Sequence, residues 1–174
     1  MSIRKSIAAL FVLVFAADLA LAETPRFGKK ITEADIAAWD LSILGDGTGL
    51  PPGQGTAADG AVIYAQKCVA CHGPNATGGS NGALVGSPPL DRIEATKTIA
   101  NFWGYPTTVF DFIRRAMPWQ QPRTLTSDEV YALTAYIFSE NKLIGEKDVM
   151  NAQTLPKVKM PNRDNFIIRF PKEI

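Results

Sequence analysis

The window Cys68-Val69-Ala70-Cys71-His72 holds both cysteines and the sole histidine of this 174-residue chain. On a helical turn, positions i, i+3 and i+4 share a face, so both thiols and the imidazole project to the same side. Two thiols at that spacing can add to the two vinyl groups of a haem while the adjacent imidazole reaches the iron. C-x-x-C-H is accordingly the sequence signature of c-type haem attachment, and one covalent haem c is the expected cofactor. Competing chemistries fit less well. A redox dithiol of the thioredoxin kind needs a βαβ context, which the helical, Gly- and Pro-rich surroundings do not supply. A structural zinc site takes four Cys or His ligands, and the chain has three, crowded together. A bare disulfide leaves the neighbouring histidine unexplained. The fold therefore has to be built around this attachment point.

The N-terminus reads as a secretory signal over residues 1–22: Arg4 and Lys5, an apolar run from Ile7 to Ala17, then Ala20-Leu21-Ala22. Cleavage after Ala22 is expected, and with it a periplasmic location, because covalent haem attachment normally takes place outside the bacterial inner membrane. Asp18, late in the apolar run, argues against a lasting membrane span, which needs about 20 mostly apolar residues. An uncleaved anchor is the alternative. Residues 1–22 take two of the 18 basic and one of the 17 acidic residues, leaving 16 of each and no formal net charge on the remaining 152 residues. That length suits one domain with extensions. Without a basic face nothing points to nucleic acid. Steering of a partner has to come from local patches.

Residues 23–55 read as an N-terminal arm. A short helix, signalled by Thr32 as N-cap with Asp35, runs through Ile36 and Trp39, and Trp39 is expected to anchor the arm. A turn-rich stretch from Gly45 to Gly55 follows. The haem domain is expected over 56–141. Its first helix starts at Thr56 with Asp59 and runs into the haem motif, and residues 73–87 form a surface loop at the haem edge. Val109, Phe112, Ile113 and Ala116 fall at helical spacing on one buried face, capped by Thr108 with Asp111. Pro118 ends that helix and extends Met117. Thr126 with Glu129 starts the last helix, striped by Val130, Leu133 and Ile137 and running to about Asn141. Residues 142–174 read as an irregular C-terminal arm. No repeat and no strand pattern long enough for a sheet is present, so the fold class is all-α.

His72 supplies one axial ligand, and with no second histidine the chain cannot provide bis-histidine coordination. The remaining strong-field donor is methionine: Met117, Met150 or Met160. Met117 is favoured because it lies 45 residues after His72, within the helical region, on a loop fixed by Pro118. A thioether opposite histidine is the usual electron-transfer pairing. Packing is the alternative role for each of these methionines.

Gly60 and Tyr64 ahead of the haem motif, and Leu133-Thr134-Ala135-Tyr136 on the last helix, resemble class I cytochrome c, whose corresponding helices cross at such residues. The likeness covers about 56–141. It implies the class I cytochrome c fold, with irregular arms at either end. It also implies that the Pro88 carbonyl, in Pro88-Pro89-Leu90, holds the second nitrogen of His72, with a plain rigid turn as the alternative. Trp103 and Tyr105 would likewise donate to the haem propionates, or simply pack. A closer likeness takes in the arms. Ile36-Ala37-Ala38-Trp39-Asp40, the run from Gly47 to Gly53, Arg114-Arg115-Ala116-Met117-Pro118 and Asp148-Val149-Met150-Asn151-Ala152 resemble the SoxD family. Those are cytochrome subunits that accept electrons from a molybdenum-containing sulfane or sulfite dehydrogenase in the bacterial periplasm.

The resemblance implies an electron-transfer protein rather than an enzyme in its own right, serving such a dehydrogenase and passing electrons to a downstream cytochrome or oxidase. A general periplasmic shuttle without a dedicated dehydrogenase is the alternative. A haem peroxidase or gas sensor would need an open coordination site, and the lack of a second histidine to act as distal acid weakens that reading.

Overall fold

The computed structural model describes residues 27–166; the expected signal segment 1–22 and the end of the chain from residue 167 lie outside the described residues. The chain divides into two compact units that part between Asp40 and Leu41. The stretch 23–55, expected as one arm, is thus split, and residues 41–55 and 142–166 belong to the same unit as 56–141.

The first unit contains helix α1, Glu33–Trp39. Its start is a reciprocal cap: Thr32 Oγ1 accepts the Asp35 N–H at 3.3 Å and Asp35 Oδ2 accepts the Thr32 N–H at 2.8 Å. Trp39, expected as an anchor, is 80% exposed.

The second unit runs β1 (Gln54–Thr56), α2 (Ala57–Lys67), α3 (Val69–His72), α4 (Ile99–Phe102), α5 (Pro106–Ala116), α6 (Ser127–Glu140) and β2 (Val149–Asn151), with one 3₁₀ turn after α3 at Pro74–Ala76 and two after β2, at Leu155–Lys157 and Arg163–Asn165. Helices α2 and α6 begin where the sequence places them. Thr56 with Asp59 caps α2 and Thr126 with Glu129 caps α6, each cap satisfying two amide groups that a helix start otherwise leaves open. Asn141 closes α6. The all-α character holds with one addition. β1 and β2 pair antiparallel, Gln54 with Asn151, Gly55 with Met150 and Thr56 with Val149. Strands of three residues are too short for an alternation pattern to register in sequence, so the pairing was not foreseen.

Helices α2 and α6 form the most extensive helix pair. Gly60 makes their crossing possible: a methyl there would overlap the Ala132 carbonyl oxygen and stand 2.7 Å from Tyr136 Cβ. Gly55 does the same for β1, which lies directly on the backbone of Ala132. The rings of Tyr64 and Tyr136 then meet at 4.9 Å across the crossing.

Helix α5 departs from the expected start. Thr108 and Asp111 do not cap it, because Pro106, with its φ preset for a helix, occupies the first turn after Tyr105. The core stripe moves back accordingly, to Pro106, Val109, Phe110 and Ile113. Phe110 is fully buried against Tyr131 at 4.4 Å, while Phe112, expected in the core, is 48% exposed on the adjacent face. The helix stops at Met117, which is extended at φ −115°, ψ 147°, as Pro118 requires.

Replacing Gly60 with Ala should destabilise the haem-loaded protein by about 2 kcal/mol or more, since neither backbone can yield to the added methyl. Val62→Ala, at an exposed site on the same helix, should change stability by no more than about 0.5 kcal/mol. Denaturant unfolding of the two variants compares them directly.

Candidate functional site

The haem motif sits where α2 gives way to α3. The helix was expected to continue through it, but Cys68 leaves helical geometry, at φ −125° and ψ −32°. A new turn begins there: the Cys68 carbonyl accepts the N–H of Cys71 at 3.2 Å and of His72 at 3.0 Å. Gly73 ends it at φ 74°, a conformation glycine adopts without strain. The following loop folds back over the motif. Gly78 donates to the His72 carbonyl at 3.0 Å and Asn81 to the Cys71 carbonyl at 2.9 Å. From inside, the Tyr64 hydroxyl donates to the Gly73 carbonyl at 2.8 Å. The backbone of the motif is thus held on both flanks.

The cysteine and histidine side chains of the motif open into a cleft of about 590 Å³, a size usual for a small-molecule or cofactor site. Cys68, Cys71, His72, Met117 and Trp103 all line it, together with Leu84, Ile99, Val109, Ile113, Leu133 and Ile137. Both cysteines are free of disulfide bonding. Burial pushes the Cys68 thiol up to about 11, with the Lys67 ammonium opposing. Two thiols, an imidazole and a thioether around one apolar cleft form a donor set that suits a covalent haem.

Among the three methionines the sequence left open, Met117 lines the cleft, whereas Met150 and Met160 are buried in the core. Trp103 meets Phe112 edge-on at 5.6 Å on the cleft wall. Phe112, displaced from the expected core stripe, thus finds its place here.

Two predicted site residues lie apart from the cleft lining. Tyr105 sits beneath the Arg163 guanidinium, 4.3 Å from ring to charge. The Pro88 carbonyl accepts from Asn101 Nδ2 at 2.9 Å, while His72 Nδ1 is 3.4 Å from the Gly82 carbonyl oxygen. Asn101 went unnoticed in the sequence, although the Thr98–Asn101 cap of the four-residue α4 was there to be read. Gln120 and Leu125 also line the cleft unpredicted, since they come from a loop with no periodicity; Thr98, the cap residue of α4, and Asn81, in the loop expected at the haem edge, line it too.

A family described as cytochrome c oxidase, cbb3-type, subunit III matches residues 55–137. The chain is also similar to a solved structure described as the sulfane dehydrogenase SoxCD from Paracoccus pantotrophus. Identity is 34% and the TM-score 0.77, over 86% of this chain and 73% of that chain. The fold, the cleft and these similarities together define an electron-transfer protein, and the chain belongs to the class I c-type cytochromes. Within that class it resembles SoxD, a likeness that reaches well beyond the haem region. The family implies haem c. No helix among the described residues is long and apolar enough to cross a membrane.

Burial raises the Tyr64 hydroxyl to about 12, with the neighbouring Cys68 and Tyr136 adding to the effect, and burial raises Tyr131 to about 12 as well. Both therefore remain donors through the neutral range. A group whose pKa is raised on folding lends stability below its unfolded value and loses it as pH rises towards the folded one. Stability should therefore fall between pH 10 and about 12. Tyr64→Phe should cost about 1–2 kcal/mol at pH 7, by leaving the Gly73 carbonyl without its partner, and should reduce the alkaline loss. Denaturation midpoints at pH 7 and pH 11 for both proteins measure each effect.

Proposed function

We propose that this chain is a periplasmic monohaem cytochrome that takes electrons singly from a molybdenum-containing sulfane or sulfite dehydrogenase and passes them to a further cytochrome or oxidase. The observation that supports this best is the cleft itself. It gathers Cys68, Cys71 and His72 on one wall and, alone of the three candidate methionines, Met117 on another. In this reading Cys68 and Cys71 would hold the haem through thioethers, and His72 and Met117 would bind its iron. The haem supplies, when bound, a one-electron ferric/ferrous couple.

The chain's residues shape that couple. A thioether ligand together with histidine would favour the reduced metal and raise its potential. The apolar walls of the cleft exclude water. Pro118 holds Met117 extended beyond α5, so the ligand arrives from a helix end rather than from a free loop. Of the two aromatic donors expected for the propionates, Trp103 lines the cleft, edge-on to Phe112, and Tyr105 does not.

The dehydrogenase assignment is supported by a resemblance that spans the arms as well as the haem region, and by the SoxCD description of the similar structure. Rapid reduction of the purified haem protein by such a dehydrogenase in the presence of sulfite or a sulfane compound is the expected result. Reduction no faster than that of an unrelated cytochrome would return the protein to the general-shuttle reading.

Met117→Ala should abolish the weak near-infrared absorption of the sulfur-to-ferric-iron bond, lower the reduction potential and admit carbon monoxide to the ferrous protein. A near-infrared band unchanged from wild type would mean that another group binds the iron.

A further inference from the structure

Two cationic side chains line the haem cleft, Lys67 and Lys97, and they are held differently. Lys97 Nζ donates to the Ile93 carbonyl at 3.0 Å and lies over the Phe102 ring. Lys67, the residue directly before Cys68, has a carboxylate: its Nζ is 2.5 Å from Glu129 Oε1. The pair is only partly exposed, at 37% for Lys67 and 25% for Glu129.

Glu129 is committed to this position. It occupies the third residue of α6, where its other oxygen accepts the Thr126 N–H at 2.8 Å. Bonding to Lys67, and then to the Thr126 backbone, holds its carboxyl below the ordinary glutamate value, so it is ionised at neutral pH. The negative charge is therefore delivered by a helix start, and the positive charge by the last residue of α2. Between them they join the two helices whose crossing places Cys68.

We infer that the Lys67–Glu129 pair tunes the reduction potential of the iron, Glu129 cancelling the field of an ammonium on the cleft lining that would otherwise favour the ferrous state. The inference rests on the haem reading above. A cation one residue from the attachment cysteine destabilises the more positive ferric centre, and a neutral pair at the same place does so far less. Both are positioning residues; neither touches the iron.

The test is spectroelectrochemical titration of the haem-loaded protein and three variants. Glu129→Gln keeps the capping box, since glutamine can also accept from Thr126, and removes only the charge. At a fixed ambient potential near the wild-type midpoint, its ferrous-to-ferric ratio should rise on the order of two- to threefold, the scale of one screened charge. Lys67→Gln should lower the ratio by a similar factor, and the double variant should return close to wild type. All shifts should shrink in high salt. A merely structural pair would lower unfolding stability in every variant without shifts of opposite sign. Single variants that leave the midpoint in place, or move it in the same direction, would overturn the inference. A wild-type protein lacking a haem spectrum would instead sink the cofactor reading on which it rests.

Discussion

The rest of the structure depends on the backbone contact between α2 and α6. Gly60 removes the one side-chain carbon that would keep the two helices apart, and Gly55 lets β1 settle on the same stretch of α6. From that contact the position of the haem motif follows in a few covalent steps. Tyr64, one turn beyond Gly60, is locked against Tyr136 and bonds to Gly73 at the far end of the motif. Cys68 comes one turn later, where α2 breaks. A crossing without bulk thus fixes the attachment cysteines more firmly than the loop around them could.

Much of this could be read in the sequence because it is encoded locally. The haem motif, the caps at Thr32, Thr56 and Thr126, the end of α6 at Asn141 and the halt at Met117 each depend on a few neighbouring residues. The misses share a different origin. Cys68 leaves the helix although nothing in its own chemistry demands it. The core face of α5 turned on whether Phe110 or Phe112 faces Tyr131, and the apolar spacing from Val109 to Ala116 fits either until Pro106 is recognised as the helix start. The pairing of Gly55 with Met150 joins residues 95 positions apart in three-residue strands. Around the cleft, Cys68, Cys71, His72 and Met117 stand out in the sequence by residue type and Thr98 by its cap with Asn101, whereas Asn81 and Gln120 come from irregular segments with no signal beyond their polarity.

The segments flanking the haem region are built differently from it: among the described residues of the second unit, none before Tyr64 and none after Ile137 lines the cleft. Residues 41–53 and 142–166 nonetheless pack closely on the same unit. Arg115 on α5 donates to the Leu41 carbonyl, Tyr131 on α6 to the Pro51 carbonyl, and Asn162 to the Phe102 carbonyl at the end of α4. Tyr105 is their common seat. Its ring lies against Gly45 from one segment and under Arg163 from the other.

That seat bears on the cleft indirectly. Tyr105 is two residues from Trp103, and Pro106 starts the helix that presents Phe112, Ile113 and Met117 to the cleft. Clamping Tyr105 between the two segments fixes the short connection from α4 to α5, and with it the aromatic wall formed by Trp103 and Phe112. The resemblance implies that Tyr105 either donates to a haem propionate or simply packs; its contacts make it the point where the flanking segments brace the cleft from behind. Such bracing accounts for their stability on the unit. It leaves their outward surfaces unused by the haem site, although the likeness to SoxCD covers far more of the chain than that site requires.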